Sequence, residues 1–276
     1  MSDFSLVGGG ADCLEAGFDY SATLPTIITG SATSNEVGAY VELLSAASND
    51  APSAGVIVTC KVPVAATQGD IFINIAIGDA GSEQDIISNL WLPSQQASEI
   101  GTYVFNFPIS VPSGVRISAN LQGSTTAKTY GVNLSLVRGS LNANSLRVVD
   151  TIGANLATTD GVTVNTSATI NTFGSWTEIT PLAPEAYKGF IVAAHKVDGS
   201  MSDMNQTYQI ALGSSGNEEV IYSGHTIRPT SIELVVGSIS PFIPVSIASG
   251  VRISARVQST STNADGNLDF VIYGIR

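Results

Sequence analysis

Apolar residues recur at every second position in short runs along this chain, and that spacing is typical of β-strands. The alternation is clearest in the segments 71–77, 115–122, 132–137, 251–258 and 268–273. Successive side chains of a strand point to opposite faces, so each run can bury one face and leave the other to solvent. No window of about twelve residues or more carries the apolar stripe of a helix, so the sequence predicts an all-β protein.

These runs are numerous enough to build complete sandwiches. In the second half of the chain they fall at 161–165, 176–182, 189–197, 206–213, 218–224, 231–239, 251–258 and 268–274. The first half offers a similar number at matching places. Short strands separated by turns every ~8–12 residues predict a β-sandwich, and about eight strands in two sheets is the number found in a jelly roll.

The chain also repeats itself once along its length. The segment 113–119 recurs without change at 249–255, which is 136 residues later (249 − 113). The segment 31–33 recurs at 167–169 with the same offset (167 − 31). This period exceeds the roughly 20–50 residues of solenoid units, so it indicates two copies of a whole domain. The sequence therefore predicts two tandem β-sandwiches, each a jelly roll of about eight strands.

The extent of the repeat sets the expected domain boundaries. The first sandwich is expected at 23–139 and the second at 161–276, joined by a linker at 140–160. Residues 1–22 have no clear counterpart in the second copy, so we expect them to form an N-terminal arm. The start of the chain lacks the basic residues of a secretory signal peptide, so we expect no export by that route.

Composition and charge narrow the classes of function. Apolar residues make up 43% of the chain, which excludes wholesale disorder. The net charge is −12, from 11 basic and 23 acidic residues, so we expect neither nucleic acid nor anionic lipid as a partner. Only 12% of residues are charged, so the surface must consist largely of hydroxyl, amide and glycine groups. Such a surface favours a β-rich protein that assembles with others or acts outside the cell over a cytosolic enzyme.

One stretch, 234–251, has no charged residue and is long enough to raise the question of a membrane span. Pro241 and Pro244 interrupt it, and its apolar residues come in short bursts. We therefore interpret it as strand pieces around a turn and expect no membrane insertion.

Motifs of catalysis and cofactor binding are absent from the sequence. It has no phosphate-binding loop, no zinc-protease motif, no Cys-x-x-Cys pair and no Gly-x-Ser-x-Gly elbow. His195 and His225 occur only in the second copy, and abundant serines leave a Ser–His–Asp pairing without specificity. We expect no enzyme and assign no catalytic, cofactor-binding or metal-binding residue. Paired carboxylates for glycoside hydrolysis stay an open alternative, because their spacing is three-dimensional.

Oxygen-rich turns come nearest to a metal site. The set that could line a calcium loop consists of Asp198, Ser200, Asp203 and Asn205, and a weaker set consists of Asp79, Glu83 and Asp85. The central glycine and the bidentate glutamate of an EF-hand are missing at the required spacing. We interpret both sets as solvated acidic turns.

Two cysteines are too few for a disulfide framework. Cys60 ends the apolar run 56–60 and corresponds to Ala194 in the second copy, so we predict a reduced core residue. Cys13 lies in the polar arm, where we expect it to be exposed.

Two charged positions recur in both copies. Arg116 and Arg252 lie on the outward phase of the same predicted strand, and Glu42 and Glu178 follow an aromatic residue by two positions. We hypothesise that the Arg and Glu positions form an ion pair, within one copy or between subunits. Exposure of both side chains to solvent is the alternative.

Several segments resemble a module of known proteins. The residues Ala-Ile-Gly-Asp-Ala-Gly-Ser-Glu at 76–83 and the segment 107–119 resemble a repeat found in proteins of tailed bacteriophages. The segments 175–179 and 250–258 are similar to the same module. The resemblance implies a virion structural protein with a duplicated β-sandwich, assembled in the host cytoplasm and located in the virion.

Three functional hypotheses follow. The first is a non-enzymatic virion structural protein on the particle exterior, as a capsid decoration or tail-fibre-type component, contacting other virion proteins and forming a homo-oligomer. The second is a glycan-binding module for host attachment, with a host-surface glycan as partner. Its candidate stacking residues, which could equally be core or interface residues, are Trp91, Tyr103, Tyr187 and Tyr208. The third is a hydrolase built on a β-sandwich.

Overall fold

The computed structural model describes residues 13–19, 24–61, 70–92, 102–139, 146–195, 204–228, 238–260 and 266–276. These residues form nineteen β-strands and no α-helix, which confirms the all-β class. Every run predicted as a strand in the second half of the chain contains one. For the run 231–239 the strand is Ser238–Ile239, and the preceding part lies outside the described residues.

The N-terminal sandwich has two sheets. Its strands are β1 (Cys13–Ala16), β2 (Phe18–Asp19), β3 (Leu24–Thr29), β4 (Val41–Leu44), β5 (Ser53–Lys61), β6 (Ile71–Ile77), β7 (Gln84–Leu92), β8 (Thr102–Phe107), β9 (Ile117–Gly123) and β10 (Thr129–Arg138). One sheet has the order β2-β3-β10-β5-β8, and β1 also pairs with β10. The other has the order β7-β6-β9-β4.

The C-terminal sandwich repeats this plan. Its strands are β11 (Val149–Ile152), β12 (Val162–Val164), β13 (Thr177–Thr180), β14 (Gly189–His195), β15 (Met204–Leu212), β16 (Glu219–Arg228), β17 (Ser238–Ile239), β18 (Ile253–Ser259) and β19 (Leu268–Ile275). One sheet has the order β13-β18-β15-β16. The other contains β17-β14-β19-β11, and β12 also pairs with β19.

Both sandwiches have jelly-roll topology. Counted from β3 and from β12, the eight strands of each form one sheet in the order first, eighth, third, sixth. The facing sheet has the order second, seventh, fourth, fifth. This is the double-sheet arrangement of two Greek keys, and it confirms the prediction of two tandem β-sandwiches.

Strands occupy segments where the sequence analysis expected an arm and a linker. β1 pairs Cys13 with Val137, and β11 pairs Val149 with Ile275. The strands β11 and β1 therefore correspond to each other, and residues 13–19 and 149–152 belong to sheets. The rest of the expected arm lies outside the described residues, and the boundaries between domains stay a prediction.

A matched glycine follows each of these two strands. Gly17 and Gly153 lie 136 residues apart (153 − 17), and both have positive φ angles, of 77° and 84°. A side chain at Gly17 would meet the backbone oxygen of Val132 at 2.7 Å. This glycine pair is the sequence signal for the extra strand, because the four-residue strands are too short to show clear alternation.

The two sandwiches share one continuous sheet. Val149 of β11 pairs in parallel with Ile87 of β7, which gives the order β17-β14-β19-β11-β7-β6-β9-β4. As a result β14 and β19 are buried on both faces. Phe190, Val192, Ala194, Phe270 and Ile272 pack in the C-terminal core, whereas Ile191, Ala193, Val271 and Tyr273 pack in the N-terminal core. The alternation in 268–273 suggested a solvent-facing side, but the N-terminal sandwich covers Val271 and Tyr273.

Candidate functional site

Each sandwich holds an arginine between two glutamates at one end of a sheet. In the N-terminal sandwich Arg116 donates from Nε to Glu42 at 2.8 Å and from Nη1 to Glu83 at 3.0 Å. Nη1 also donates to the carbonyl oxygen of Gly78 at 3.4 Å. The other carboxylate oxygen of Glu83 accepts the amide of Gly81 at 2.8 Å. The arginine thereby ties the turn before β7 to strand β4.

The C-terminal sandwich repeats these contacts. Arg252 donates to Glu178 at 2.9 Å, to Glu218 at 3.0 Å and to the carbonyl oxygen of Gly213 at 3.3 Å. The hypothesis of an Arg–Glu ion pair is therefore confirmed, and the pair forms within each copy. The second glutamate of each set was not predicted from the sequence, although Glu83 and Glu218 follow matched glycine turns 135 residues apart (218 − 83).

Hydrogen bonds keep the second glutamates charged. The pKa of Glu83 lies below its ordinary value, chiefly because its own backbone amide donates to it, with Arg116 contributing further. Burial raises the pKa of Glu218, but bonds from its own amide, from Arg252 and from Gly216 outweigh burial and lower it overall. Held by the arginine and by backbone amides, these glutamates act as structural braces.

A double-mutant cycle on Glu178 and Arg252 measures this brace. Glu178 is 46% exposed, so we expect a coupling free energy of about 0.2–1 kcal/mol, the range of solvent-exposed ion pairs. Urea unfolding of E178Q, R252A and the double variant provides the measurement. The cycle on Glu42 and Arg116 is the matched control and should give a similar value. A coupling free energy of zero in both cycles would show that these ion pairs do not stabilise the sandwiches.

At the junction between the sandwiches, side chains of the N-terminal sandwich hydrogen-bond to the hairpin 155–160, which precedes β12. Gln122 of β9 donates from Nε2 to the carbonyl oxygen of Leu156 at 2.6 Å and to the hydroxyl of Thr159 at 3.1 Å. That hydroxyl donates in turn to Oδ1 of Asn35 at 2.8 Å. We call Asn35 and Gln122 the amide clamp. Because Thr159 is fully buried, the hairpin is an integral part of the junction.

Aromatic side chains fill the remainder of the junction. Tyr273 packs edge-on against Phe105 and Phe107, with ring centroids 5.9 and 6.0 Å apart. Its hydroxyl accepts the backbone amide of Trp91 at 2.8 Å. Tyr273 belongs to the C-terminal sandwich and its three partners to the N-terminal one, so this side chain joins the two.

His195 lies in the same junction, fully buried. Its ring packs edge-on against Trp91 at 4.8 Å and Tyr103 at 6.2 Å between centroids. Neither ring nitrogen has a hydrogen-bond partner among the described residues. Burial lowers the pKa of His195 to about 3, so the imidazole is neutral at physiological pH. The residue is a packing group, more deeply buried than its position after an apolar run suggested.

The C-terminal sandwich presents a polar face on the sheet β13-β18-β15-β16. The guanidinium of Arg256 lies over the rings of Phe173 and Trp176, at 4.6 and 4.3 Å from their centroids. Its Nε and Nη2 both donate to Oε1 of Gln209, at 2.8 and 2.6 Å. These contacts fix a planar cationic group on the sheet surface.

The equivalent face of the N-terminal sandwich is covered. Asn74 and Asn120 take the positions of Gln209 and Arg256 there, and they hydrogen-bond to each other at 2.9 Å. Both asparagines are buried together with Gln122 of the amide clamp. One face of the repeated sheet is thus covered within the chain, whereas its counterpart carries the half-buried Arg256 and Gln209.

An apolar groove of about 470 Å³ opens at the junction. Its walls include Ile57, Phe107 and Pro108 from the N-terminal sandwich and Pro241 and Phe242 from the C-terminal one. Binding pockets usually combine an apolar lining with a few polar groups that orient the ligand. None of the described residues that line this groove is charged, and we assign it no ligand.

The structure describes only some of the residues that were considered for a metal site. Asp198, Ser200 and Asp203 lie outside the described residues. Asp85 accepts the hydroxyl of Tyr40 at 2.6 Å. In the ranges that the structure describes, no group of three or more His, Cys, Asp or Glu residues is placed to hold a metal ion.

The remaining sequence candidates have structural positions. Cys60 is a buried free thiol and Cys13 an exposed one, as predicted. The aromatic residues considered for sugar stacking are all buried, namely Trp91, Tyr103, Tyr187 and Tyr208. Over the described part of the chain, no helix has the length and apolar character needed to cross a membrane.

Comparisons with known proteins add little to this description. No protein-family model matches the sequence, and no curated protein does. Solved structures that match include a tandem CBM22 pair from Paenibacillus barcinonensis Xyn10C, at 9% identity and a TM-score of 0.29, covering 97% of this chain and 99% of that one. The glycosylasparaginase PNGase F from Flavobacterium meningosepticum matches at 9% identity and a TM-score of 0.36, covering 95% and 96%. A chain of Sulfolobus turreted icosahedral virus matches at 12% identity and a TM-score of 0.24, covering 90% and 58%. Likeness at this level carries no functional argument, and the fold assignment rests on the strand order.

Proposed function

We propose that this chain is a non-enzymatic structural protein of a bacteriophage virion, located on the particle exterior as a capsid decoration or tail-fibre-type component. The observation that carries the proposal is the continuous sheet that joins the two jelly rolls across a shared aromatic core. Two sandwiches joined in this way hold their outer edges and faces at fixed relative positions. A protein that assembles with neighbours in a symmetric particle needs such fixed positions.

The braced turns give further support. The segments 76–83 and 107–119, which resemble the phage module, contain Arg116, Glu83 and the turn that Arg116 holds. The C-terminal sandwich repeats the same brace. The features shared with the module are therefore those that stiffen each sandwich. The surface, with charged residues at 12% of the chain, suits contact with other proteins.

The proposal predicts that the protein is a component of purified particles at a fixed copy number. Quantitative mass spectrometry of gradient-purified particles, together with imaging, should give a ratio to the major shell or tail protein that fits the particle symmetry. Particles washed with high salt and banded a second time control for adhering protein. A protein that is missing from particles, or present at a variable ratio, contradicts the proposal.

A second candidate function is glycan binding, and the polar face around Arg256 favours it. Half-buried aromatic, amide and guanidinium groups on a sheet face can stack on and hydrogen-bond to sugar rings. A glycan array probed with the wild-type chain and with W176A tests this candidate. Binding that W176A abolishes would support it, whereas the absence of binding by the wild-type chain would exclude the sugars on the array.

A further inference from the structure

Within the chain, the C-terminal sandwich covers one edge and one face of the N-terminal sandwich. The edge strand β7 receives β11, with Val149 opposite Ile87. The adjoining face, on β9, receives the hairpin before β12 through the amide clamp. Val149 is fully buried as a result.

The same edge of the C-terminal sandwich has no partner strand among the described residues. Strand β16 is the counterpart of β7, because Ile210 pairs with Tyr222 in the register in which Ile75 pairs with Ile87. It is the terminal strand of its sheet. An unpaired strand edge offers a row of amide and carbonyl groups to another chain.

The amide clamp recurs next to this edge. Asn171 and Gln258 follow Asn35 and Gln122 at the repeat offset of 136 (171 − 35 and 258 − 122). Asn171 keeps the positive φ of Asn35, at 57° and 58° respectively. Within the described ranges, neither Asn171 nor Gln258 makes a side-chain hydrogen bond. The C-terminal sandwich has therefore kept both residues of the clamp, and no described residue of the chain is hydrogen-bonded to their side chains.

The matching insert is available at the other end of the molecule. The hairpin β2–β3 pairs Asp19 with Leu24, as the gripped hairpin pairs Asn155 with Asp160. Strand β1 is the counterpart of β11, and in the described structure its outer edge is unpaired. Its residue Cys13, which corresponds to a buried valine in β11, is exposed.

We propose that copies of this chain associate head to tail. The β1 edge and β2–β3 hairpin of one copy dock on the β16 edge of the next, beside Asn171 and Gln258. The partner is a second copy, and the contact repeats the junction inside the chain. Because the two surfaces lie on different sandwiches, the contact is heterologous and produces a ring where the rotation closes and a filament where it does not. This inference rests on the proposed structural role and names its partner.

The contact between copies is more polar than the internal junction. His225 occupies the position of Trp91, and Thr207 that of Phe72, while β1 contributes the exposed Glu15. A polar terminal face keeps a single repeat unit soluble, as in the capping units of repeat proteins. We therefore expect weak, reversible self-association, in which the fraction of associated chains rises with protein concentration.

Cross-linking of the full chain tests the proposed contact. The wild-type chain has one exposed thiol, Cys13, and one buried thiol, Cys60, so a short bismaleimide can link at most two copies. S223C places a second thiol on β16 next to the position expected to face Cys13. We expect this variant to give a ladder of trimers and longer products on denaturing gels. T102C, with its thiol on the exposed start of β8, is the matched control. A ladder no longer than that of T102C overturns the proposal.

A matched pair of clamp variants tests whether the face that carries Asn171 and Gln258 is the docking face. Q258A removes the unoccupied clamp residue and should raise the dissociation constant for self-association roughly tenfold, with an unchanged melting temperature. Q122A removes the occupied counterpart and should lower the melting temperature, with unchanged association. Sedimentation velocity over a concentration series, with thermal unfolding, measures both. Equal dissociation constants for wild type and Q258A would show that the open clamp is not the docking face.

The two proposals fail separately. A chain found in particles at a fixed copy number, but monomeric at high concentration and giving no S223C ladder in particles, would overturn the inference and leave the structural role intact. Head-to-tail ladders from a chain that is missing from particles would overturn the structural role and leave the self-association intact.

Discussion

Replacing Tyr273 with alanine is expected to lower the free energy of unfolding by about 3–5 kcal/mol, the range for removal of a large buried aromatic side chain. Tyr273 is fully buried, and the two rings that it packs against belong to the other sandwich. We therefore expect the loss to fall on the junction, so that the two sandwiches unfold in separate steps instead of one. The two tryptophans report on the two parts, because Trp91 lies in β7 and Trp176 precedes β13.

Two control variants separate the junction from the rest of the core. F270A removes a ring from the same strand but from the opposite face, where Phe270 packs in the C-terminal core. F270A should destabilise the C-terminal sandwich by a similar amount. Because the junction stays intact, the fluorescence of Trp91 and of Trp176 should change in the same unfolding step. Y273F should cost about 1–3 kcal/mol, because the buried amide of Trp91 loses its acceptor. A Y273A chain that unfolds in one step, with the wild-type midpoint, contradicts a shared core.

The internal plan of each sandwich could be predicted from sequence because it depends on local patterns. Alternation with period two indicates which face of a strand is buried. Because the domain is repeated, each strand could be predicted from two different sequences. Asn35 and Asn171 illustrate how closely the copies agree, since both adopt positive φ at matched positions. The Arg–Glu pairs were predictable for the same reason, because a charge repeated on one strand phase needs a repeated partner.

The relation between the sandwiches could not be predicted in the same way. The pairing of β11 with β7 uses main-chain groups, which leave no mark in the side-chain pattern. Burial of β14 on both faces does leave a mark, the continuous apolar run 190–194, but such a run does not tell which element covers the second face.

The sequence did contain the difference between the covered and the open face. Asn120 of the N-terminal copy corresponds to Arg256 of the C-terminal copy, and Phe72 corresponds to Thr207. Aligned copies of a repeat are expected to diverge where their surroundings differ. Where one copy has a polar or charged residue and the other has an apolar or smaller one, the first copy is expected to have the open face and the second the covered face. That comparison becomes usable only when the strand register is known, because single-residue bulges shift the offset between copies.

Stability should fall as the pH drops below 6.5, because His195 is buried in its neutral form. An unfolded histidine binds a proton with a pKa near 6.5, whereas burial lowers the pKa of His195 in the folded chain to about 3. The unfolded state therefore binds more protons between these values, and the folded state loses stability as the pH falls. The contribution is fully present above pH 6.5 and is lost progressively towards pH 3.

The expected size of this effect is about 1.4 kcal/mol for each pH unit below 6.5, or about 2 kcal/mol at pH 5. The braced glutamates do not contribute between pH 6.5 and pH 5, because lowered carboxyl pKa values support stability above 4.5 and lose that support only at lower pH. Asp269 faces His195 across the β14–β19 ladder, and its carboxylate accepts the hydroxyl of Thr163. Desolvation is the sole cause of the lowered pKa of His195.

Urea unfolding of wild type, H195F and H225Q at pH 7, 6 and 5 measures the effect. H195F keeps a ring of similar size between Trp91 and Tyr103 but has no titrating group, so its stability should change much less between pH 7 and pH 5. H225Q removes the exposed histidine and should retain the wild-type slope. Since His195 lies at the junction, its protonation should separate the sandwiches, and Trp91 fluorescence should change before Trp176 responds. If the H195F and wild-type slopes coincide, His195 is not the group that titrates on unfolding.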